Sequence, residues 1–165
     1  MSSKASLFFN IMKPVFILLV LVFFVRQKTH AQVLINELLA VNSTTVHDPD
    51  FGEFSDFVEI VNASPAPVNL SGYTLTDDPA EKDKWSLPSL TLAPGEFLLI
   101  WTDGQDKHPG DTAWVAYRNA LVVMTGIHAG FRLSGGGEYV GVYTTQGQLV
   151  DEVTYYTQAG DISFG

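Results

Sequence analysis

The sequence predicts an all-β domain, a sandwich or a barrel, carried behind a short N-terminal address. Three observations lead there. From Val33 onward no long stretch repeats apolar residues at i, i+3, i+4 and i+7, the spacing of an amphipathic helix. Short runs rich in Val, Ile, Phe, Tyr and Trp recur instead. Gly, Pro, Asn and Asp fall between the runs, where turns are needed.

The runs cover 33–39, 54–62, 73–76, 90–92, 97–101, 113–117, 121–125, 131–133, 139–143 and 149–156. Ala93-Pro94-Gly95-Glu96 sets Pro and Gly at the centre of a tight turn before the 97–101 run. Thr145-Gln146-Gly147-Gln148 separates two alternating runs and reads as a hairpin. Ser64-Pro65-Ala66-Pro67 cannot pair as a central strand and is expected to be a loop or a broken edge. The 97–101 run is apolar on both parities, which predicts a central strand covered on both faces. Trp85, Trp101 and Trp114 are expected in or at the rim of the core; Trp114, in the looser segment, is the candidate sugar-stacking platform.

The head of the chain carries a different pattern. Lys4 and Lys13 precede a twelve-residue run, 14–25, that has no polar side chain. Arg26 and Lys28 follow, and Thr29 and Ala31 put small residues at −3 and −1 before Gln32. A basic start, a short apolar run and small residues at the cut make 1–31 a secretory signal peptide. A membrane anchor is the alternative, kept open by Arg26 and Lys28, although spanning takes about 20 apolar residues. Either reading places 32–165 outside the cytoplasm, secreted or at the cell surface, touching membrane only through an uncleaved head.

Charge narrows the function classes. Residues 32–165 hold all eighteen Asp and Glu against five Lys and Arg, a formal charge of −13. Such a surface repels phosphate backbones, so no nucleic-acid partner is expected. There is no cysteine, which excludes disulfide staples, a thiol nucleophile and Cys-ligated metal.

The densest polar stretch runs from His47 to Glu59 and holds Asp48, Asp50, Glu53 and Asp56. Close-set hard oxygens on a loop suit calcium, and Asp77 and Asp78 could add ligands. The spacing departs from the EF-hand loop, because Gly52 follows Phe51 and the closing Glu is misplaced. The plain alternative is an acidic loop whose Asp side chains cap their own turns. Ser134-Gly135-Gly136-Gly137 lacks the Lys-Ser/Thr pair of a phosphate loop and reads as a flexible turn. His128, Ser134 and Asp151 could be drawn as a triad, without any nucleophile elbow. Asn42-Ser43-Thr44, Asn62-Ala63-Ser64 and Asn69-Leu70-Ser71 match the N-glycosylation pattern.

Several segments, in order, resemble the lamin-tail domain family in its extracellular bacterial form. Ile35-Asn36-Glu37-Leu38 resembles the opening I-N-E-I/L strand. Asp50-Phe51-Gly52-Glu53-Phe54-Ser55-Asp56-Phe57-Val58-Glu59-Ile60-Val61-Asn62 is similar to D-x-G-x-x-x-D-W-I-E-L-Y-N, with Phe57 replacing Trp. Val68-Asn69-Leu70-Ser71-Gly72-Tyr73-Thr74-Leu75-Thr76-Asp77-Asp78 resembles V-D-L-S-G-W-x-L-S-D-D. Trp85 and Pro88, then Leu92-Ala93-Pro94-Gly95-Glu96-Phe97-Leu98-Leu99-Ile100, are similar to K-W-x-x-P and L-x-P-G-x-Y-L-L-V. His128-Ala129-Gly130-Phe131-Arg132-Leu133-Ser134 resembles H-x-x-F-x-L-S, followed by Gly136-Gly137-Glu138. Val150-Asp151-Glu152-Val153 and Asp161-Ile162-Ser163-Phe164-Gly165 resemble the closing V-D-x-V and D-x-S-x-G. Two departures stand out: 114–125 is longer and more apolar than the family's loop there, and relatives continue past the position of Gly165, so a truncated module is expected.

The resemblance implies an immunoglobulin-like β-sandwich and no established chemistry. The function expected is a secreted, non-catalytic module for binding or attachment to a protein or polysaccharide surface, accessory to a larger extracellular protein. Attachment would run through a calcium site or through strand addition at a sheet edge. The alternatives are a spacer that dimerises through 114–125, and a fragment of a secreted hydrolase using Glu53 and Asp56. No cofactor is established; calcium is the one these residues could take.

Overall fold

The computed structural model describes residues 32–165; the segment 1–31, expected to be a signal peptide or an anchor, lies outside the described residues. Among these the strands are β1 (Val33–Leu39), β2 (Phe57–Asn62), β3 (Val68–Asn69), β4 (Thr74–Thr76), β5 (Trp85–Ser86), β6 (Thr91–Leu92), β7 (Phe97–Trp101), β8 (Thr112–Val115), β9 (Ala120–Val123), β10 (Tyr139–Tyr143) and β11 (Leu149–Thr154). A single 3-10 turn, Ala116–Arg118, links β8 to β9. One sheet has the order β1-β2-β7 and the other β11-β10-β4-β5, all antiparallel. Two ribbons, β3-β6 and β8-β9, complete an immunoglobulin-like β-sandwich.

Alternation decides what each strand buries. In β2, Val58, Ile60 and Asn62 point inward, while Phe57, Glu59 and Val61 point to the outer face. Ile100 of β7 and Val140 and Val142 of β10 are fully buried and meet in one core with Leu75, Trp85, Phe131 and Tyr155. β1 does not alternate cleanly, because the register slips at Asn36. This bulge shifts the phase by one residue. Val33 and Ile35 face inward before it, Leu38 after it, and Glu37 turns outward opposite Glu59.

The Ala93–Glu96 turn forms as expected: Glu96 N–H donates to the Ala93 carbonyl at 3.0 Å, and Gly95 takes φ 74°. That left-handed angle after Pro94 is the reason for glycine. Three expectations need correction. β7 is an edge strand and not a central one; its Trp101 end is covered, but Phe97 stays 52% exposed. The 131–133 run is no strand, only an isolated bridge from Arg132 to Asp103. Trp114 is not a core residue, being 62% exposed, whereas Trp85 and Trp101 are buried.

Candidate functional site

The loop before β2 turns on Asp48. Its Oδ1 accepts the Asp50 amide at 2.8 Å, and its Oδ2 accepts the Phe51 amide at 3.4 Å, the side-chain-capped turn that Asp favours. The Asp48 amide donates to the Glu53 carbonyl at 2.8 Å and closes the loop. This geometry throws the Asp50 side chain inward. There Asp50 Oδ2 accepts the amides of Thr125 at 2.9 Å and Gly126 at 2.7 Å, while Oδ1 accepts the Thr125 hydroxyl at 2.8 Å.

His128 completes the arrangement. Its ring is fully buried, with Nδ1 2.8 Å from Asp103 Oδ2 and Nε2 3.2 Å from Asp50 Oδ2. The edge of Phe51 packs on it at 5.1 Å between centroids. A Cβ on Gly126 would stand 3.2 Å from Asp50 Oδ2, His128 Nε2 and Trp101 Nε1 alike, so any larger residue would have to push this cluster apart by a few tenths of an ångström. Two antiparallel bonds between His128 and Lys107, at 2.8 and 2.9 Å, clamp the backbone on both sides of the ring.

Burial pushes the His128 pKa down, but the hydrogen bond and charge of Asp103, the bond to Asp50 and the charge of Asp48 outweigh it, and the net shift is upward. For Asp50, burial raises the pKa and the Gly126 and Thr125 donors lower it further than burial lifts it. Asp48 goes the other way: burial dominates its amide bonds and raises it. The lowered Asp50 and the raised His128 both favour the charged pair, with each ring nitrogen placed to donate to a carboxylate oxygen. The site is a buried imidazole held between two acidic side chains, a clasp that ties three loops. A ring with no exposure and both nitrogens engaged has no face to offer a substrate.

Of the six expected calcium ligands, the structure gathers two. Asp48, Asp50 and His128 each bring one ligand atom within 4.8 Å of the others, a donor set with one nitrogen that suits a borderline divalent ion better than calcium. Asp56 Oδ1 instead accepts the Asn42 amide at 2.9 Å, and Asp56 is raised by burial, against the Asn42 bond and the Arg132 charge. Glu53 is exposed. Asp77 pairs with Lys84 Nζ at 2.5 Å, and Asp78 Oδ1 caps the Ala80 amide at 2.8 Å.

The drawn triad is not assembled: Ser134 is exposed, and Asp151 Oδ2 accepts the Ile35 amide at 2.8 Å. His128 takes Asp103 and Asp50 as its carboxylate partners. Asp103 went unnoticed in the sequence because it stands alone between Trp101 and Gly104; its pairing with His128 spans 25 residues.

Comparison with known proteins agrees with this architecture. No curated protein matches the chain. The family model of the Lamin Tail Domain matches residues 26–157, most of the chain. The order and sandwich topology of the described strands fit that match, and the chain belongs to the Lamin Tail Domain family.

Proposed function

We propose that this chain is an exported, non-catalytic β-sandwich module that attaches to a surface polysaccharide through the β8-β9 ribbon. One observation carries the reading. In the ribbon's register Trp114 stands opposite Leu121 and Thr112 opposite Val123, so these share one face. That face is left to solvent, with Trp114 62%, Leu121 67% and Val123 58% exposed. The opposite face is used for folding: Val115 is buried, and Met124 just beyond β9 is too. The ribbon's base is held firmly, by Met124 N–H to Asp111 O at 2.7 Å and by the Thr125 contacts to Asp50. A ribbon tied down at its base and displaying a flat indole and two aliphatic neighbours is an apolar patch, the kind that marks an interaction surface.

The test is depletion of the full chain by insoluble cellulose, chitin and peptidoglycan. Binding to at least one, lost in Trp114→Ala at unchanged melting temperature, supports the reading. No depletion by any of the three sinks it. Mass spectrometry of the exported protein tests the address: the first residue should be Gln32.

A second reading, a dimerising spacer, is favoured by Leu121 and Val123, whose exposed aliphatic bulk a sugar face does not require. Sedimentation separates the two. A concentration-dependent dimer dissolved by Val123→Asp supports the spacer. The charge belongs at Val123, because Val122 is half-buried on the folded side.

A further inference from the structure

We propose that the outer face of the three-stranded sheet carries a docking groove for a Lys or Arg side chain, presented beside an apolar residue by an extended segment of a partner protein. This goes beyond the ribbon reading and shares no residue with it.

The groove encloses about 340 Å³ above β1, β2 and β7. Its floor is apolar: Leu39, Phe57 and Leu99, with Val46 leaning in from the preceding loop. That wall is built and not incidental. Buried Asn42 donates to the Val46 and Ser55 carbonyls at 2.6 and 2.8 Å and accepts the Thr45 and Val46 amides at 3.2 and 3.3 Å. The opposite wall comes from the segment after β11. Asp161, at φ 62°, accepts the amides of Ser43 and Thr44 at 2.6 and 2.8 Å, and Phe164 pairs with Leu38.

Three carboxylates, Glu37, Glu59 and Asp161, line this apolar trough, and none of its lining side chains is basic. Glu37 and Glu59 are direct cross-strand partners on the same face. Like charges directly opposite in a sheet destabilise it. The bulge at Asn36 is what turns Glu37 toward Glu59, and a sequence tolerates such local conflict where function requires it. Among the described residues, the polar side chain that relieves the pair is Asn36, whose Nδ2 donates to Glu59 Oε1 at 2.8 Å, and it is neutral. A cation is the missing complement. A bare ion would leave the floor unused, whereas a Lys or Arg stem covers apolar surface and delivers charge at its tip. The groove is open along the sheet, and half-buried Leu34 and Val61 and exposed Phe97 continue the same face, offering apolar contact to flanking residues. An extended peptide therefore fits it better than a free small cation.

The probe is fluorescein-labelled Leu-Arg-Leu-Arg-Leu amide, titrated with the full chain and read by anisotropy. Its counterpart with citrulline for arginine keeps shape and removes charge. The expected result is binding that weakens at least tenfold with citrulline and at least tenfold in Glu37→Gln/Glu59→Gln. That variant should melt no lower than the parent, since the repulsion is gone, so weaker binding cannot be unfolding. Glu81→Gln/Asp83→Asn removes the same charge elsewhere and should keep the affinity within twofold. Trp114→Ala should leave it unchanged, which keeps this site separate from the ribbon. Equal losses in the two charge-removing pairs, or no preference over citrulline, would overturn the proposal. So would arginine amide competing as well as the peptide, which would make the groove a small-cation site.

Discussion

Replacing His128 with Leu removes the cation from between Asp50 and Asp103 and leaves the rest of the fold its apolar contacts. The cost follows from what each carboxylate retains. Asp50 keeps the Thr125 and Gly126 amides and the Thr125 hydroxyl, so its charge stays partly solvated. Asp103 keeps the Gln105 amide on Oδ1 at 3.1 Å, while its Oδ2 loses a 2.8 Å charged partner. Breaking a buried ion pair from one side costs about 3–5 kcal/mol, and the donors left to Asp50 put this case near 3. At about 4 °C per kcal/mol for a domain of this size, the melting temperature should fall by roughly 12 °C. Scanning calorimetry at pH 6 reads it. The double variant His128→Leu/Asp103→Leu should recover at least half of the loss, because it removes the stranded charge as well. Dependence on pH supplies a second arm. The folded pKa of His128 is raised above its ordinary 6.5, so its contribution is complete below that value and is lost as pH rises through the folded pKa. The gap between parent and single variant should therefore narrow from pH 6 to pH 9. A single variant within 2 °C of the parent would refute the clasp. A double variant no more stable than the single one would refute the stranded-charge account of its cost.

Three further outcomes are expected. Melting curves in calcium and in EDTA should superimpose, since the Asp48 and Asp50 oxygens accept backbone donors and Asp77 is held by Lys84; a separation beyond about 2 °C would restore an ion to the site. The Asp161 carboxyl is held down to about 2 by the Ser43 and Thr44 amides and the Thr44 hydroxyl, so its tether is present above the ordinary value of 3.8 and is lost as pH falls through about 2. Hydrogen exchange at Ser43 and Thr44 should accordingly quicken in Asp161→Asn at pH 6, and identical rates would contradict the tether. In a glycosylating host the glycan should map to exposed Asn69 alone. Asn62 is fully buried, with Nδ2 donating to the Ala66 and Leu92 carbonyls at 2.8 and 2.9 Å, and Asn42 is bonded in the same way; a glycopeptide at either from folded protein would be inconsistent with this structure.

Most strands were legible because their periodicity is local. The 97–101 and 139–143 runs coincide with β7 and β10, and 33–39 with β1. β5, at Trp85 and Ser86, was invisible, since two residues have no period to display. The 131–133 run has the composition of a strand but meets a single residue, Asp103, across a bridge. The same limit applies to the site. Asp48 and Asp50 could be singled out because they are neighbours, and the capping role of Asp48 is written in its spacing. Their imidazole partner lies 78 residues along the chain, and no local pattern links it to them. The groove was equally hidden, because Glu37 faces Glu59 only through the slip at Asn36. An unbulged β1 would have sent Glu37 into the core.

The placement of both proposed contacts follows from what the fold does with its edges. Strand addition needs a sheet edge whose main-chain groups are available. β1 already exchanges two hydrogen bonds with Phe164 through Leu38, and its Ile35 amide is taken by Asp151. β7 is covered at Trp101 by Ile127 and Ala129, and just beyond it Gly104 bonds Phe131. At these positions a partner strand would have to displace existing bonds before making its own, so main-chain pairing there gains little. Side-chain surfaces carry no such penalty. Recognition is therefore expected on the ribbon, where Trp114 and Leu121 are already desolvation-ready, and on the outer sheet face, where carboxylates over an apolar floor favour a cation with a greasy stem. If hydrogen exchange on binding any partner protected the β1 amides before the groove or ribbon side chains were perturbed, edge pairing would win and this ordering would be reversed.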